Sequence, residues 1–289
     1  MKFWTAAATQ KLDWVEKMRE KHGYVIGVVG GSTTTFGIDA EYIEREYNLP
    51  VANLGLHVGM GPEACIGFGL SALRKGDTLV LSLEPAAFTA DHPEASNLGS
   101  KLALLLGRPE MTTWAGNNPQ LEFTRSLAMA APGGYHVMTM LGKLAMGMPL
   151  YRYRIEDLQP GGLQVTEERR DFIAESNFSS PNEIAPITSH GIQLLKKLRL
   201  AANEKGINLV YLLPWSYWPQ RSASQRRAAN AAWLEALSQH VQVLIEPAAG
   251  THSETEDFAD SGQHLTQNAA RRRSDQLVEN LKIGGYGCN

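Results

Sequence analysis

The sequence predicts an α/β fold: a three-layer α/β/α sandwich around a mainly parallel, five-stranded sheet. Three observations lead there. Five short apolar runs, Tyr24–Val29, Val51–Leu56, Thr78–Leu83, Ile207–Leu213 and Val241–Ile245, are brief and rich in β-branched residues, as doubly buried strands are. Longer stretches with helical spacing separate most of them, and that alternation is the mark of crossover connections in a parallel sheet. Hydrophobic content of 43% and charged content of 20% are those of a chain that buries a sizeable core.

Taken in order, Ala6–Lys21 is the first expected helix, with Leu12, Val15 and Met18 along one side. His22-Gly23 ends it and the first strand follows. That strand runs into Gly30-Gly31-Ser32. Asp39 is placed to cap a helix over Ala40–Tyr47, which Asn48 and Pro50 stop before the second strand. The second strand ends in a glycine turn containing Gly55, His57, Gly59 and Gly61. Pro62–Leu73 is apolar on most faces, so its Gly67 and Gly69 point to close contact with the sheet. Lys75-Gly76-Asp77 turns the chain into the third strand.

Residues 84–185 interrupt the alternation and are expected to form a long, mostly helical insert or cap within one 289-residue domain. Glu84-Pro85 breaks the strand, and Lys101–Leu106 is a short helix candidate. The Met- and Ala-rich part to Pro149 would cover the open edge of the sheet, and its methionines would fill core or pocket. Tyr151–Phe178 is polar enough to be a surface excursion, and its Tyr-Arg-Tyr-Arg start, Tyr151–Arg154, is the part that would line a polar ligand. Regular structure resumes with a helix over Pro186–Lys205, capped by Gly206. The fourth strand ends in the aromatic turn Pro214–Pro219, a helix runs from Ser222 or Ser224 to Gln239, and a fifth strand follows. After an acidic segment, Thr266 caps a last helix over Gln267–Leu281.

The formal net charge of −3 and the absence of a dense basic patch argue against nucleic acid. Cys65 and Cys288 show no metal or redox spacing, and Cys65 lies in an apolar stretch as a buried thiol does. No segment has the length and apolarity of a membrane span. The opening MKFWTAAATQ is too short an apolar run for a signal peptide, which leaves a cytoplasmic protein or one whose leader or anchor precedes this sequence.

Two strands that each deliver a Gly-rich turn line the crevice where open parallel sheets bind ligands. One turn presents the Ser32 hydroxyl, the other flexible backbone N–H groups, and an activated serine needs both. Its base must reach it, and the base needs an orienting carboxylate. His264 fits: it precedes the last helix and lies four residues after Asp260 in Asp257–His264. Asp257 is the rival acid and His57 the rival histidine. Gly30-Gly31-Ser32 lacks the lysine of a phosphate-cradling loop and the third glycine of a dinucleotide fingerprint. Asp91, His92, His252 and Asp257 have no metal-ligand spacing, so no metal or other cofactor is expected.

These residues resemble the SGNH (GDSL-like) hydrolase superfamily, in a divergent branch related to polysaccharide-modifying proteins of bacterial envelopes. Gly30-Gly31-Ser32 with Gly37-Ile38-Asp39 resembles the first block, with Gly31 in place of its usual Asp. Asn53-Leu54-Gly55 with His57–Gly61 resembles the second, and Asp260 with His264-Leu265-Thr266 the last. The likeness covers residues 24–90 and 186–281 and leaves the insert unmatched. Leu83-Glu84-Pro85 stands where the third-block Asn is expected, and Asn97, Asn117 or Asn118 are the substitutes within the insert. The Asp–His spacing is one residue longer than usual.

The resemblance implies a flavodoxin-like sheet and a serine esterase or acyltransferase acting on O-acyl, above all O-acetyl, groups of a carbohydrate. Ser32 would be the nucleophile, His264 the base and Asp260 its orienter, with the Ser32 and Gly55 N–H groups in the oxyanion hole. His57, Trp215, Tyr217 and Trp218 would contact substrate. An envelope location and envelope protein partners also follow from it. The other class of function is an inactive relative that binds glycan within an envelope assembly.

Overall fold

A computed structural model describes residues 1–90, 96–116, 153–166 and 183–286, with the single positions 124 and 146. Helix α1 (Lys2–His22) leads into strand β1 (Ile26–Gly30) and a single helical turn, α2 (Ser32–Thr35). Helix α3 (Ala40–Tyr47), strand β2 (Val51–Asn53), helix α4 (Pro62–Ala72) and strand β3 (Thr78–Ser82) follow. The described part of the insert holds α5 (Ala86–Thr89), α6 (Asn97–Leu105) and α7 (Glu110–Thr113). The C-terminal half is α8 (Ser189–Lys205), β4 (Asn208–Leu212), β5 (Ser216–Tyr217), α9 (Gln220–Ser238), β6 (Gln242–Leu244), β7 (Thr251–His252) and α10 (Gln267–Ile283).

The main sheet has five strands in the order β2-β1-β3-β4-β6, every pair parallel. Chain direction reverses across the sheet on either side of β1 and β3, and an open sheet of this kind forms its crevice there. Alternate side chains feed two cores. Val29, Leu79, Leu81 and Tyr211 pack on one face under residues of α1, α4, α8 and α9. Ile26, Val28, Val80 and Val210 pack on the other under α3 and α10. With a helical layer on each face, β1, β2 and β3 are buried along their whole length and read as unbroken apolar runs, while β4 and the edge strand β6 begin with the exposed Asn208 and Gln242.

Caps set the helix limits much as the sequence predicts. Asp39 Oδ1 accepts the Tyr42 N–H at 3.0 Å, Gly23 closes α1 with φ 81°, and Gly206 closes α8 with φ 67°. Among the described residues, no helix is long and apolar enough to cross a membrane. Cys65 is buried, and its thiol is pushed far up by burial.

Several expectations change. Gly69 does face the sheet, where a Cβ would come within 2.3 Å of Val29 Cγ2. Gly67 faces α7 instead, and a Cβ there would lie 2.0 Å from the Met111 carbonyl oxygen. The helices α6 and α7 therefore flank α4, and the Met- and Ala-rich part beyond residue 116, expected to cover the sheet edge, lies outside the described residues apart from positions 124 and 146. The aromatic turn is part of a small second sheet in which β5 pairs with β7, parallel. Two-residue strands carry too little periodicity to be seen in sequence. Residues 153–166 are no solvated excursion: Leu158, Leu163 and Gln164 are buried, and the Gln164 N–H bonds the Thr35 carbonyl at 3.0 Å. Asp91, His92, Asn117, Asn118, Tyr151, Arg152 and Cys288 lie outside the described residues.

Candidate active site

Strand β1 ends at Gly30, in register with Ser82 of β3. Ser32 and Glu84 therefore each lie two residues past the same rung of the sheet. The three threonines after Ser32 tie its helical turn down. Thr33 Oγ1 donates to Glu84 Oε1 at 2.8 Å, Thr34 Oγ1 to the Ser82 carbonyl at 3.1 Å, and Thr35 Oγ1 to the Leu56 carbonyl at 2.9 Å. Below the turn, Asn53 Nδ2 donates to the carbonyls of Thr34 and Ile38, both at 2.8 Å. Asn53 Oδ1 accepts from Lys11 Nζ, which also donates to the Asn53 and Gly162 carbonyls. Burial lowers Lys11 to about 7. The three oxygens pull the other way, because only an ammonium supplies three N–H donors.

On the C-terminal side, the loop between β7 and α10 folds back so that Phe258 bridges Leu265 and the Ala259 N–H bonds the His264 carbonyl at 2.8 Å. This brings His264 Nδ1 to 2.7 Å from Asp260 Oδ1. Tyr153 OH donates to Asp260 Oδ2 at 2.7 Å and lies 3.4 Å from His264 Nδ1. The His264 ring stacks on Phe36, with centroids 4.1 Å apart and planes 16° from parallel. Phe36 is the C-cap of the turn that Ser32 opens, and its N–H bonds the Ser32 carbonyl at 2.9 Å. The stack thus holds the Asp260–His264 pair against the turn that carries Ser32. Ser32 Oγ has no hydrogen-bond partner among the described residues, so a proton relay to His264 requires the two to close to about 3 Å. Asp257 is spent elsewhere, paired with Arg272.

Beside Ser32, a cleft of about 560 Å³ is lined by Thr33, Glu84, Trp215, Tyr217, Trp218 and Gln263, among others. The three aromatic residues line it while being largely buried. Trp215 stacks on His252, with centroids 3.6 Å apart. Trp218 lies under the Arg226 guanidinium and donates from Nε1 to Ser216 Oγ at 3.2 Å. Glu84 has its pKa raised by burial, against the opposing pull of its own backbone N–H, the Thr33 hydrogen bond and the His264 charge. His57 caps the glycine turn by accepting the Gly59 N–H at Nδ1, 2.9 Å away. Its pKa is lowered by burial and, in smaller part, by the nearby charge of His264.

Some expected site residues are engaged elsewhere. The Gly55 N–H is no free oxyanion donor, because it donates to Asn53 Oδ1 at 3.0 Å. Glycine is needed there for space, since a Cβ would stand 2.4 Å from the Thr35 nitrogen. Asn97 opens α6 and lines a neighbouring apolar cleft of about 480 Å³ with Val58 and Leu83. His252, Glu254 and Asp257 bring ligand atoms within 4.8 Å of one another, but Arg272 already neutralises Asp257. Tyr153 is the residue that sequence reasoning missed. Its one signal was the Tyr-Arg-Tyr-Arg run Tyr151–Arg154, a candidate ligand lining that names no carboxylate partner. Comparison of the chain with protein-family models, with curated proteins and with solved structures found no match.

Proposed function

We propose that the protein is a serine esterase or acyltransferase of SGNH type, acting on O-acyl, above all O-acetyl, groups of a carbohydrate. The observation that carries this is the Tyr153–Asp260–His264 chain, held by Phe36 against the turn that begins at Ser32. A carboxylate that bonds Nδ1 leaves Nε2 as the basic nitrogen, and a tyrosine on the other carboxylate oxygen fixes the orientation of both. Ser32 Oγ attacks the ester carbonyl, and His264 takes its proton and returns it to the departing alcohol. Water or a second hydroxyl then takes up the acyl group. The Ser32 N–H supplies one oxyanion donor. A carbohydrate is favoured by the resemblance, and Trp215, Tyr217 and Trp218 in the cleft lining are compatible with it, since aromatic rings offer amphipathic contact surface. The same resemblance carries the proposal of envelope protein partners.

The open separation of Ser32 Oγ from any hydrogen-bond partner favours a second reading, in which the cleft only binds glycan. One paired experiment divides the two: acetyl release or transfer from an acetylated oligosaccharide, and binding of the same sugar, for wild type and Ser32→Ala. The expected result is turnover lost by several orders of magnitude with binding retained. Enzyme-dependent turnover that survives Ser32→Ala would remove the serine mechanism, and binding without turnover by the wild type would establish the second reading.

A further inference from the structure

We infer that Glu84 is a catalytic residue acting as a neutral carboxylic acid, whose Oε2–H donates a hydrogen bond to the oxyanion formed when Ser32 attacks. This deepens the serine reading above and rests on it. The oxyanion hole lacks a donor, because the Gly55 N–H is committed to Asn53 Oδ1. Glu84 stands at the same rung as Ser32 on the adjacent strand and lines the same cleft as Thr33. Its two oxygens are unlike. Oε1 accepts the Thr33 hydroxyl at 2.8 Å, while Oε2 is buried and has no hydrogen-bond partner among the described residues. Oε2 points toward Gly31, within 3.4 Å of where a Cβ on that glycine would sit. This places Oε2 at van der Waals distance from the residue that precedes the nucleophile.

A buried carboxylate with one bare oxygen is costly, and a proton on that oxygen removes the cost while creating a donor. Burial raises the pKa of Glu84 in that direction, outweighing the pull of its own backbone N–H, Thr33 and His264. The titratable groups that face it are His264 from the C-terminal loop, Cys65 from α4 and Tyr211 from β4. Burial pushes the last two upward, so neither is charged near neutrality. Arg226 also lines the cleft, but it is directed to the Glu183 carbonyl and the Trp218 ring. A carboxylic acid held neutral in an apolar site is known as an oxyanion donor in other chemistry. Glu84 keeps its proton throughout: it donates a hydrogen bond as the C–O⁻ forms and relaxes as the carbonyl returns.

The test is the rate at which a fluorophosphonate labels Ser32. In that reaction Ser32 Oγ bonds phosphorus, fluoride leaves, the serine proton passes to His264, and the phosphoryl oxygen occupies the oxyanion hole. Wild type, Ser32→Ala, Glu84→Gln, Glu84→Ala and Thr33→Val are compared, with folding checked by thermal denaturation. Labelling is expected only where Ser32 is present. Glu84→Gln, which keeps an N–H donor in the same shape, should stay within about tenfold of wild type, while Glu84→Ala should fall by about 10²- to 10³-fold. The wild-type rate should decline as pH rises through the raised pKa of Glu84, because the donor exists only in the protonated form, and Glu84→Gln should lack that limb. If Glu84→Gln is as slow as Glu84→Ala, or Thr33→Val is as slow as both, while Ser32 still labels, the donor role is overturned and the serine reading stands. If labelling does not depend on Ser32, both fall together.

Discussion

Replacing Tyr153 with Phe isolates one atom of the candidate site. The ring keeps its edge contacts to Phe36, with centroids 5.0 Å apart, and to His264, 6.2 Å apart. What goes is the hydroxyl that donates to Asp260 Oδ2 at 2.7 Å. A hydrogen bond to an ionised group is worth about 1.5–3 kcal/mol. If the bond is needed to hold Asp260 under His264 as the imidazole takes the serine proton, that energy appears in the barrier. At about 1.4 kcal/mol per tenfold, turnover falls by about tenfold to about 150-fold. KM should move little, because Tyr153 OH faces the carboxylate and not the cleft. The assay is kcat and KM for release of acetyl from an acetylated oligosaccharide, with denaturant melts to confirm the fold. A Tyr153→Phe enzyme with kcat within twofold of wild type, in a protein where Asp260→Asn is severely impaired, would refute the positioning argument.

Asp260→Asn should lower kcat by about 10²- to 10⁴-fold, since the amide no longer carries the charge that stabilises the imidazolium. Asp257→Asn should leave kcat unchanged and cost at most about 1 kcal/mol of stability, because its partner Arg272 is half exposed; the reverse pattern would exchange the two acids. Gly67→Ala should destabilise by about 1–3 kcal/mol and by more than Gly69→Ala, since the first meets a backbone carbonyl and the second a side chain that can shift; urea melts that rank them the other way would count against the α4–α7 packing. Burial lowers His252 to about 4 from its usual 6.5. The unfolded chain then holds the extra proton between those pH values, so stability rises with pH across that window and is lost as pH falls through it. Allowing for partial solvent contact, the loss is on the order of 1–2 kcal/mol, and His252→Gln should flatten it in denaturant melts at pH 4.5 and 7. A wild-type curve equally flat would contradict the burial.

The architecture was legible in the sequence, because its signals are local. Five short apolar runs, and caps at Asp39 and Gly206, depend on neighbours within a few residues, and all appear within three residues of where they were expected. Ser32 just after the first strand and the Asp260–His264 loop just before the last helix also stand where the sequence placed them. The hydrogen-bond partners inside the crevice were not readable. Tyr153 meets Asp260 across 107 residues of sequence, and Thr33 meets Glu84 across 51. The glycine turn was recognisable, yet whether the Gly55 N–H faced a substrate or Asn53 was decided by a side chain anchored through Lys11 to residue 162. Periodicity and turn chemistry determine where a strand ends. Which polar atoms remain unpaired once the layers close depends on how distant segments share buried donors and acceptors, and tertiary packing alone decides that.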